Sequence, residues 1–313
     1  MSNKEKNFIS AVIYVHNQEA VIRDFVNYVA NVLKNNFEHS EIICVNDDSS
    51  DNSVGILKEL SNDLEGTSLT IVNMSYYHGL ELSMNAGTDL SIGDFVIEFD
   101  NCNLDFSEEI LMKVYRRELE GYDIVSATPD RSIRFSSRVF YSLYNRFSNN
   151  KQKRIQSESF RILSRRVINR VSQMNKSVPY RKVVYAYSGL KSDNVVYKPT
   201  KEIKYKGSKG EAAFKRELAV DSLIMFTDFG YKASAFMAVL MLVFITLTIV
   251  YTFMAYILSN PVEGWTSTIL FLSVAFFGLF VILTIIIKHL QIIMRLIFRR
   301  QQYSILSVEK PTK

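Results

Sequence analysis

EIICVNDDSSDNS, residues 41–53, changes from mostly apolar to polar residues and is the most informative stretch of this sequence. Its first five residues are mostly apolar and β-branched, which is typical of a short strand buried in a sheet. The next eight residues are polar, contain Asp47, Asp48 and Asp51, and lead into a segment with helical spacing. The stretch therefore predicts a strand, an acidic loop and a helix, in that order.

The same alternation of strand and helix extends to both sides of this stretch. Because a helix follows each strand, the sequence predicts an α/β fold with a mainly parallel, doubly wound sheet. In such sheets ligands bind beyond the carboxyl ends of the strands, where this chain carries polar residues. The predicted strands cover residues 8–15, 41–45, 68–74, 94–99 and 122–127, and the predicted helices cover residues 19–34, 53–62, 80–88 and 107–118.

The acidic loop admits more than one explanation. Its carboxylates suit a metal ion, a nucleobase or a ribose. Alternatively, they are only helix N-cap and turn residues, since Asp, Asn and Ser favour both positions. No glycine-rich phosphate loop follows the first predicted strand, so neither a dinucleotide-binding fold nor a P-loop is expected.

The composition of the chain and the uneven distribution of its charges both limit the possible classes of protein. Of the 313 residues 48% are hydrophobic and only two are cysteines, which excludes a disordered chain and a disulfide-rich scaffold. Residues 1–129 hold 8 Lys and Arg against 22 Asp and Glu, whereas residues 130–216 hold 22 against 5. The acidic part suits a metal ion or sugar hydroxyl groups, and the basic part suits phosphates or an anionic membrane surface. Because the basic part precedes long apolar segments, we do not expect nucleic acid as a partner.

Two charge-free apolar runs predict a membrane hairpin. Residues 233–258 and 265–287 contain no Lys, Arg, Asp or Glu, and each is long enough to cross a hydrocarbon core of about 30 Å as a helix. The loop between them lacks Lys and Arg, while Lys232, Lys288 and Arg295 flank the runs, so the positive-inside rule places both termini in the cytoplasm. The predicted regions are a cytoplasmic domain over residues 1–205, a juxtamembrane amphipathic segment over 206–231, two transmembrane helices within 232–288, and a cytoplasmic tail over 289–313.

Two motifs give the chain its resemblance to a known family. Asn17, Gln18 and Glu19 follow an apolar strand as in the family's opening motif, and residues 46–51 are similar to its Asp-Asp-Gly-Ser-x-Asp loop. The chain thus resembles the family 2 glycosyltransferases with the glycosyltransferase A fold. More narrowly, it is similar to the membrane-bound polyprenyl-phosphate glycosyltransferases, the group of the dolichol-phosphate mannose synthases. The resemblance implies that residues 1–205 are the catalytic domain and that the nucleotide-binding residues are Tyr14, Asn17, Glu19, Asp47, Asp48 and Gly79.

The family's metal motif, Asp-x-Asp-Leu-Gln, is altered in this chain. Aligned without a gap, Asp100 matches the first Asp and Cys102 the second, and a thiol is a poor ligand for Mg²⁺ or Mn²⁺. Aligned with one inserted residue, Asn103 and Asp105 restore oxygen ligands, and we prefer this alignment. The resemblance therefore implies a Mg²⁺ or Mn²⁺ site at Asp100, Asn103 and Asp105, and a weakened or absent metal site is the alternative.

Arginines in the basic part complete the implied site. Residues 159–163, Ser-Phe-Arg-Ile-Leu, resemble a segment of the dolichol-phosphate mannose synthases whose arginine is associated with the phosphate end of the site. Upstream, Arg131, Arg134 and Arg138 resemble an Arg-x-x-Arg region of the same family. Guanidinium groups match the geometry of phosphate oxygens. The implied lipid-phosphate ligands are Arg131, Arg138 and Arg161, and the implied catalytic residues are Asp100, Arg131 and Arg161.

The resemblance implies an inverting hexosyltransferase. Its donor is a nucleotide-sugar, and its acceptor is a polyprenyl phosphate of the undecaprenyl type, used on the cytoplasmic face of the inner membrane for cell wall or surface polysaccharide synthesis. The implied assembly is a homotetramer in the lipid bilayer. Because the acceptor phosphate is already ionised near neutral pH, no strong general base is required. Two alternatives stay open: a membrane-tethered transferase that acts on a saccharide, and a paralogue that binds a nucleotide without turnover.

Overall fold

The structure is a computed structural model in which most of the N-terminal 200 residues and a short C-terminal segment are described. The chain divides into two units, of which the first holds residues 1–145, 150–218 and 300–313 and the second holds residues 146–149 and 219–299. The described residues are 4–64, 66–130, 158–173, 181–200 and 303–310, together with single positions between 138 and 293.

One mixed sheet forms the centre of the first unit, and eight strands of the described residues belong to it. These are β1 (Ile9–Val15), β2 (Ser40–Asn46), β3 (Ser68–Met74), β4 (Phe95–Phe99), β5 (Ile124–Pro129), β6 (Phe160–Ser164), β7 (Ser192–Tyr197) and β8 (Ile305–Glu309). Their order across the sheet is β7-β5-β6-β4-β1-β2-β3-β8. The pairs β1–β2, β1–β4, β2–β3 and β5–β7 are parallel, whereas β6 is antiparallel to β4 and β5, and β8 is antiparallel to β3.

The prediction of a mainly parallel sheet therefore needs a correction. The first four predicted strands are present and parallel to one another, but β6 separates β4 from β5 and reverses the direction. Strand β6 has only five residues, with Arg161 at the second, so hydrophobic periodicity alone did not identify it. The fifth predicted strand, residues 122–127, is also shifted and forms as Ile124–Pro129.

Helices cover both faces of this sheet. Helices α1, α2 and α4 pack on one face, and α3 and α5 pack on the other. The central strand β1 is buried on both sides, because Ile13 contributes to the first core and its neighbour Val12 to the second. The described helices are α1 (Ile22–Asn36), α2 (Ser53–Asp63), α3 (Leu80–Leu90), α4 (Glu108–Leu119), α5 (Arg165–Gln173) and α6 (Arg181–Tyr187).

Helix α3 lies unusually close to the sheet at Gly87. A Cβ atom added there would lie 2.5 Å from side-chain carbons of both Val12 and Val45. Only glycine fits this approach without a shift of the helix or of the strands. At its other end α3 begins directly after Gly79, whose N–H donates to Asp47 in the acidic loop.

Most of the predicted membrane region lies outside the described residues. This holds for the whole juxtamembrane segment, residues 206–231, and for most positions of the predicted hairpin. Within the part of the chain that the structure describes, no helix combines the length and the apolar character needed to cross a membrane. Part of the predicted tail, residues 289–313, is described and forms β8.

Candidate active site

The candidate site lies where β1, β2 and β4 end. Strand β1 lies between β2 and β4, and the chain continues from β1 to β2 and β3 on one side while β4 is on the other. The gap between β1 and β4 is therefore a topological switch point, where α/β sheets bind ligands. Asp47 directly follows β2, and Asp100 directly follows β4. With about 4.8 Å between adjacent strands, their backbone positions lie about 10 Å apart.

Asp47 is held in one orientation by three hydrogen bonds. Its Oδ1 accepts the backbone N–H of His78 at 2.7 Å, and its Oδ2 accepts the Tyr14 hydroxyl at 2.9 Å and the Gly79 N–H at 2.8 Å. Gly79 has a φ of 82°, a conformation that favours glycine and that starts α3 beside the carboxylate. The structure thus brings together three of the predicted nucleotide-binding residues, Tyr14, Asp47 and Gly79. Their contact with a nucleotide stays a prediction.

The loops after β1 and β2 are joined by side chains that accept backbone N–H groups. Asn17 Oδ1 accepts the N–H of Ser50 at 2.8 Å, and Glu19 Oε2 accepts the N–H of Asn52 at 3.0 Å. Asn17 and Asp48 both have a positive φ, 53° and 52°, which asparagine and aspartate tolerate better than other side chains. Asn17 and Glu19 therefore fix the two loops against each other, while Asp48 is exposed.

Two arginines hold the carboxylate of Asp100. Arg161 Nη2 donates to Oδ2 at 2.9 Å, and Arg181 Nη2 donates to Oδ1 at 2.6 Å. Burial alone would raise the pKa of Asp100, but the charges of Arg161 and Arg181 hold it well below its usual range. Asp100 is thus a permanent carboxylate whose charge is already balanced.

The same arginines belong to a larger buried cluster. Glu98 is fully buried, and it is the direct cross-strand neighbour of Arg161, with 2.8 Å between Oε2 and Nη1. The other Glu98 oxygen, Oε1, accepts the hydroxyl of Tyr185 at 2.8 Å and lies 2.7 Å from Arg181 Nη1. The remaining contacts are those of Arg161 with Glu158 at 2.7 Å and of Arg181 with Glu81 at 3.0 Å. We call these residues the Asp100 cluster: Glu81, Glu98, Asp100, Glu158, Arg161, Arg181 and Tyr185.

Of the other predicted metal ligands, Asp105 has a carboxylate that is engaged elsewhere, and within the described residues Asn103 has a backbone contact only. Asp105 is 1% exposed and accepts the hydroxyls of Tyr197 at 2.8 Å and Ser159 at 3.2 Å. Asn103 donates its backbone N–H to Asn101 Oδ1 at 3.0 Å. Cys102 is buried, its Sγ lies 3.7 Å from the carbonyl oxygen of Tyr14, and burial raises the pKa of its thiol.

This arrangement does not fit a divalent cation. Mg²⁺ and Mn²⁺ require several oxygen ligands, of which carboxylates are the strongest. Here both oxygens of Asp100 accept guanidinium hydrogens, and Asp105 is enclosed by hydroxyl donors. Among the described residues, no group of three or more His, Cys, Asp and Glu has a geometry that holds a metal ion.

The predicted phosphate-binding arginines are placed very differently. Arg131 and Arg134 lie outside the described residues, and Arg138 is helical and exposed. Arg161 is 1% exposed and contacts three carboxylates. Its contact with a lipid phosphate stays a prediction, and the structure gives it a second role inside the protein.

Sequence reasoning missed five members of the Asp100 cluster: Glu81, Glu98, Glu158, Arg181 and Tyr185. Glu98 left a signal, because it is the one charged residue inside the apolar strand Phe95–Phe99. A charge in such a strand calls for a buried partner of opposite charge. Arg181 left none, because it is one of many cations in the basic part of the chain.

Comparison with solved structures defines the class of fold as the glycosyltransferase A type. A glucosyl-3-phosphoglycerate synthase from Mycobacterium tuberculosis, solved with phosphoglyceric acid, has a TM-score of 0.53 at 14% identity, over 71% of this chain and 80% of that one. The mannosyltransferase PcManGT from Pyrobaculum calidifontis, solved with GDP-Man and Mn²⁺, has a TM-score of 0.51 at 14% identity, over 71% and 63%. At these identities the likeness shows the fold alone.

The sequence comparison shows the family. The family model described as "Glycosyl transferase family 2" matches residues 10–172, which is more than half of the chain. The chain therefore belongs to this family. The prediction of a glycosyltransferase is thereby confirmed.

Several relatives extend the similarity beyond the matched domain. The uncharacterized glycosyltransferase sll0501 of Synechocystis is 30% identical over 197 residues, which are 60% of this chain and 60% of that protein. The prophage bactoprenol glucosyl transferase homolog of Escherichia coli is 27% identical over 288 residues, 86% of this chain and 88% of that protein. The uncharacterized glycosyltransferase YkcC of Bacillus subtilis is 24% identical over 272 residues, 83% and 81%. The name of the Escherichia coli relative supports the polyprenyl-phosphate glycosyltransferase group, whereas the other two names specify no acceptor.

Proposed function

We propose that this protein transfers a sugar, with inversion, from a nucleotide-sugar to a polyprenyl phosphate at the cytoplasmic face of the inner membrane. The observation that carries the donor half is the position of Asp47 at the switch point of the sheet, fixed by Tyr14, His78 and Gly79. Asp47 is fully buried and already accepts three of the roughly four hydrogen bonds open to a carboxylate, which leaves one for an N–H or hydroxyl group of a nucleoside.

The acceptor half is supported by the extent of the similarity. Whereas the family 2 model matches only 163 residues, the match to the Escherichia coli bactoprenol glucosyl transferase homolog extends over 288 residues and covers 86% of this chain. It therefore includes apolar sequence near the C-terminus. Bactoprenol is the lipid named for that relative, and for this chain a polyprenyl phosphate is our proposal.

The described positions of the apolar runs are consistent with lipid contact. Phe236, Leu247 and Met254 are helical, and each is more than half exposed. Together with the absence of charge over residues 233–258, such exposed apolar side chains favour a hydrocarbon environment over water. We propose that the two runs form a transmembrane hairpin with both termini in the cytoplasm.

The reaction needs little acid–base chemistry from the protein. An ionised oxygen of the acceptor phosphate attacks the anomeric carbon from the face opposite the nucleoside diphosphate. The new carbon–oxygen bond forms as the bond to the diphosphate breaks, so the configuration inverts. Because Arg161 is buried among carboxylates, Arg131 and Arg138 are the better candidates for holding the acceptor phosphate.

A transfer assay tests this function. The full-length chain is reconstituted in liposomes with undecaprenyl phosphate and supplied with radiolabelled UDP- and GDP-sugars. We expect one donor to label a lipid that mild acid hydrolyses. Asp47→Asn places an amide NH₂ against hydrogen-bond donors that need an acceptor, so we expect a loss of about 1–3 kcal/mol, which raises the Kd for the nucleotide about 5- to 150-fold. Asp63→Asn, at an exposed position of α2, is the control.

Two other outcomes identify the alternatives. Label that enters only a saccharide, and never the lipid phosphate, contradicts the proposal and favours a saccharide acceptor. Nucleotide binding without transfer from any donor favours a non-enzymatic paralogue, the alternative to which the altered metal motif points.

A further inference from the structure

The cationic groups that contact Asp100 are two side chains of the protein, Arg161 and Arg181. The metal motif does not imply such an arrangement. Arg161 is anchored by Glu98 at 2.8 Å and Glu158 at 2.7 Å, independently of Asp100. Arg181 is anchored by Glu81, which accepts both its Nε at 3.0 Å and its backbone N–H at 2.9 Å. Neither guanidinium is a mobile surface side chain that happens to reach Asp100.

Burial adds to this fixation. Arg161 is 1% exposed and Arg181 is 2% exposed. A guanidinium cannot lose its proton in a protein, so both charges are present at every working pH. A divalent cation that approached Asp100 would therefore have to displace two fixed guanidinium groups, one from each oxygen of the carboxylate.

We propose that Arg181, together with Arg161, occupies the position of a divalent cation at Asp100, so that this site binds its donor without a metal ion. The inference rests on the proposed function only in calling the site a donor site. It also explains the altered motif, because a second acidic ligand at position 102 has no purpose where the cation is a side chain.

Removing Arg181 should convert the site into one that binds metal. Arg181→Gln alone would leave Glu81 without its ion-pair partner and one oxygen of Asp100 without its donor, so Glu81→Gln is added to relieve the excess negative charge. In Arg181→Gln/Glu81→Gln one oxygen of Asp100 is free, while Arg161 still holds the other. The matched control adds Asp100→Asn to this pair and so removes the free carboxylate.

Mn²⁺ binding is measured by electron paramagnetic resonance on full-length protein in detergent, without nucleotide or lipid. We expect no stoichiometric binding by the wild type, a gain of at least 10-fold in affinity for Arg181→Gln/Glu81→Gln, and loss of that gain when Asp100→Asn is added. A wild-type Mn²⁺ site that Asp100→Asn abolishes would overturn the inference, whether or not the Arg181 variants fold. So would a folded Arg181→Gln/Glu81→Gln variant with no gain.

Transfer in EDTA provides an independent readout. We expect the wild type to retain its rate in EDTA, and a rate restored only by Mn²⁺ or Mg²⁺ contradicts the inference. A protein that transfers no sugar under any condition contradicts the proposed function instead, while the Mn²⁺ measurement still decides the role of Arg181.

Discussion

Arg161 illustrates what burial does to an arginine that its motif associates with a phosphate. Its guanidinium contacts Glu98, Asp100 and Glu158 at 2.7–2.9 Å. Removing one partner from a buried ion pair costs about 3–5 kcal/mol, because the other charge is left unpaired. A lipid phosphate that drew Arg161 away would incur such a cost, whereas the exposed Arg138 would incur none.

Glu118 is a second buried carboxyl group, and its protonation state differs from that of Asp100. It is 2% exposed, and neither of its oxygens has a hydrogen-bond partner within the described part of the chain. Burial, with a smaller contribution from the charge of Asp123, raises its pKa from 4.5 to about 9. Glu118 is therefore protonated at neutral pH in the folded protein.

This pKa predicts a specific dependence of stability on pH. Between pH 4.5 and about 9 the folded state keeps a proton that the unfolded state releases, so stability should fall as pH rises. The slope is about 1.4 kcal/mol per pH unit for one group. Glu118→Gln keeps the shape and removes the titration, so its free energy of unfolding should lose this slope between about pH 5 and pH 8.5.

Denaturant unfolding at several pH values checks this prediction. The control is Glu109→Gln, which changes an exposed glutamate on the same helix. Its free energy of unfolding should vary with pH as that of the wild type does. If the free energy of unfolding of Glu118→Gln has the same pH dependence as that of the wild type, Glu118 is ionised in the folded protein and the prediction fails.

At the scale of elements, the start of β8 is linked to the candidate nucleotide site. The backbone N–H of Ser304 donates to His78 Nε2 at 3.0 Å, so the other ring nitrogen of His78 carries its proton and donates to the carbonyl of Tyr76. The backbone N–H of His78 in turn donates to Asp47 at 2.7 Å. A chain of hydrogen bonds thus joins the last strand to the carboxylate at the switch point.

Ser304→Pro tests this link, because proline has no N–H to donate. We expect the nucleotide Kd to rise by up to about 10-fold, as His78 Nε2 loses its donor and the loop that holds Asp47 shifts. Ser304→Ala keeps the N–H and should bind like the wild type. Calorimetry with the nucleotide measures both, and equal Kd values for the two variants would disprove the link.

Local patterns predicted the elements that depend on local sequence. Strands β1–β4 and helices α1–α4 lie within three residues of their predicted bounds, because apolar periodicity and turn residues lie in the same short windows. Helix α1 begins at Ile22 rather than at residue 19, since the N–H of Glu19 is bound to Asp51 of the next loop. That contact is between separate loops, and the helical pattern carries no trace of it.

Non-local pairing explains what the sequence left open. Strand β6 accommodates Arg161 because its guanidinium is paired with carboxylates, of which Glu98 lies directly opposite on β4, 63 residues earlier. In the candidate site, Asp47 and Asp100 were identifiable because they follow apolar strands. Arg181 and Glu81 were not, because a contact across 100 residues has no local signature.

At the scale of the whole molecule, the two cysteines make the proposed topology testable. Cys44 and Cys102 are free and buried, and burial raises the pKa of both thiols, so they should react slowly. An impermeant maleimide should therefore label Glu263→Cys on intact cells, and Lys4→Cys only after the membrane is opened. Labelling of Lys4→Cys on intact cells would contradict cytoplasmic termini, and the wild type gives the background.

The strand order also bears on how a water-soluble fragment would have to be made. Strands β7 and β8 are the two edges of the sheet, and the apolar runs lie between them in the sequence. Ending the chain before those runs deletes β8 and leaves the backbone of β3 unpaired, which invites aggregation. A better fragment would keep residues 303–310 and rejoin them through a linker that crosses seven strand spacings, about 34 Å.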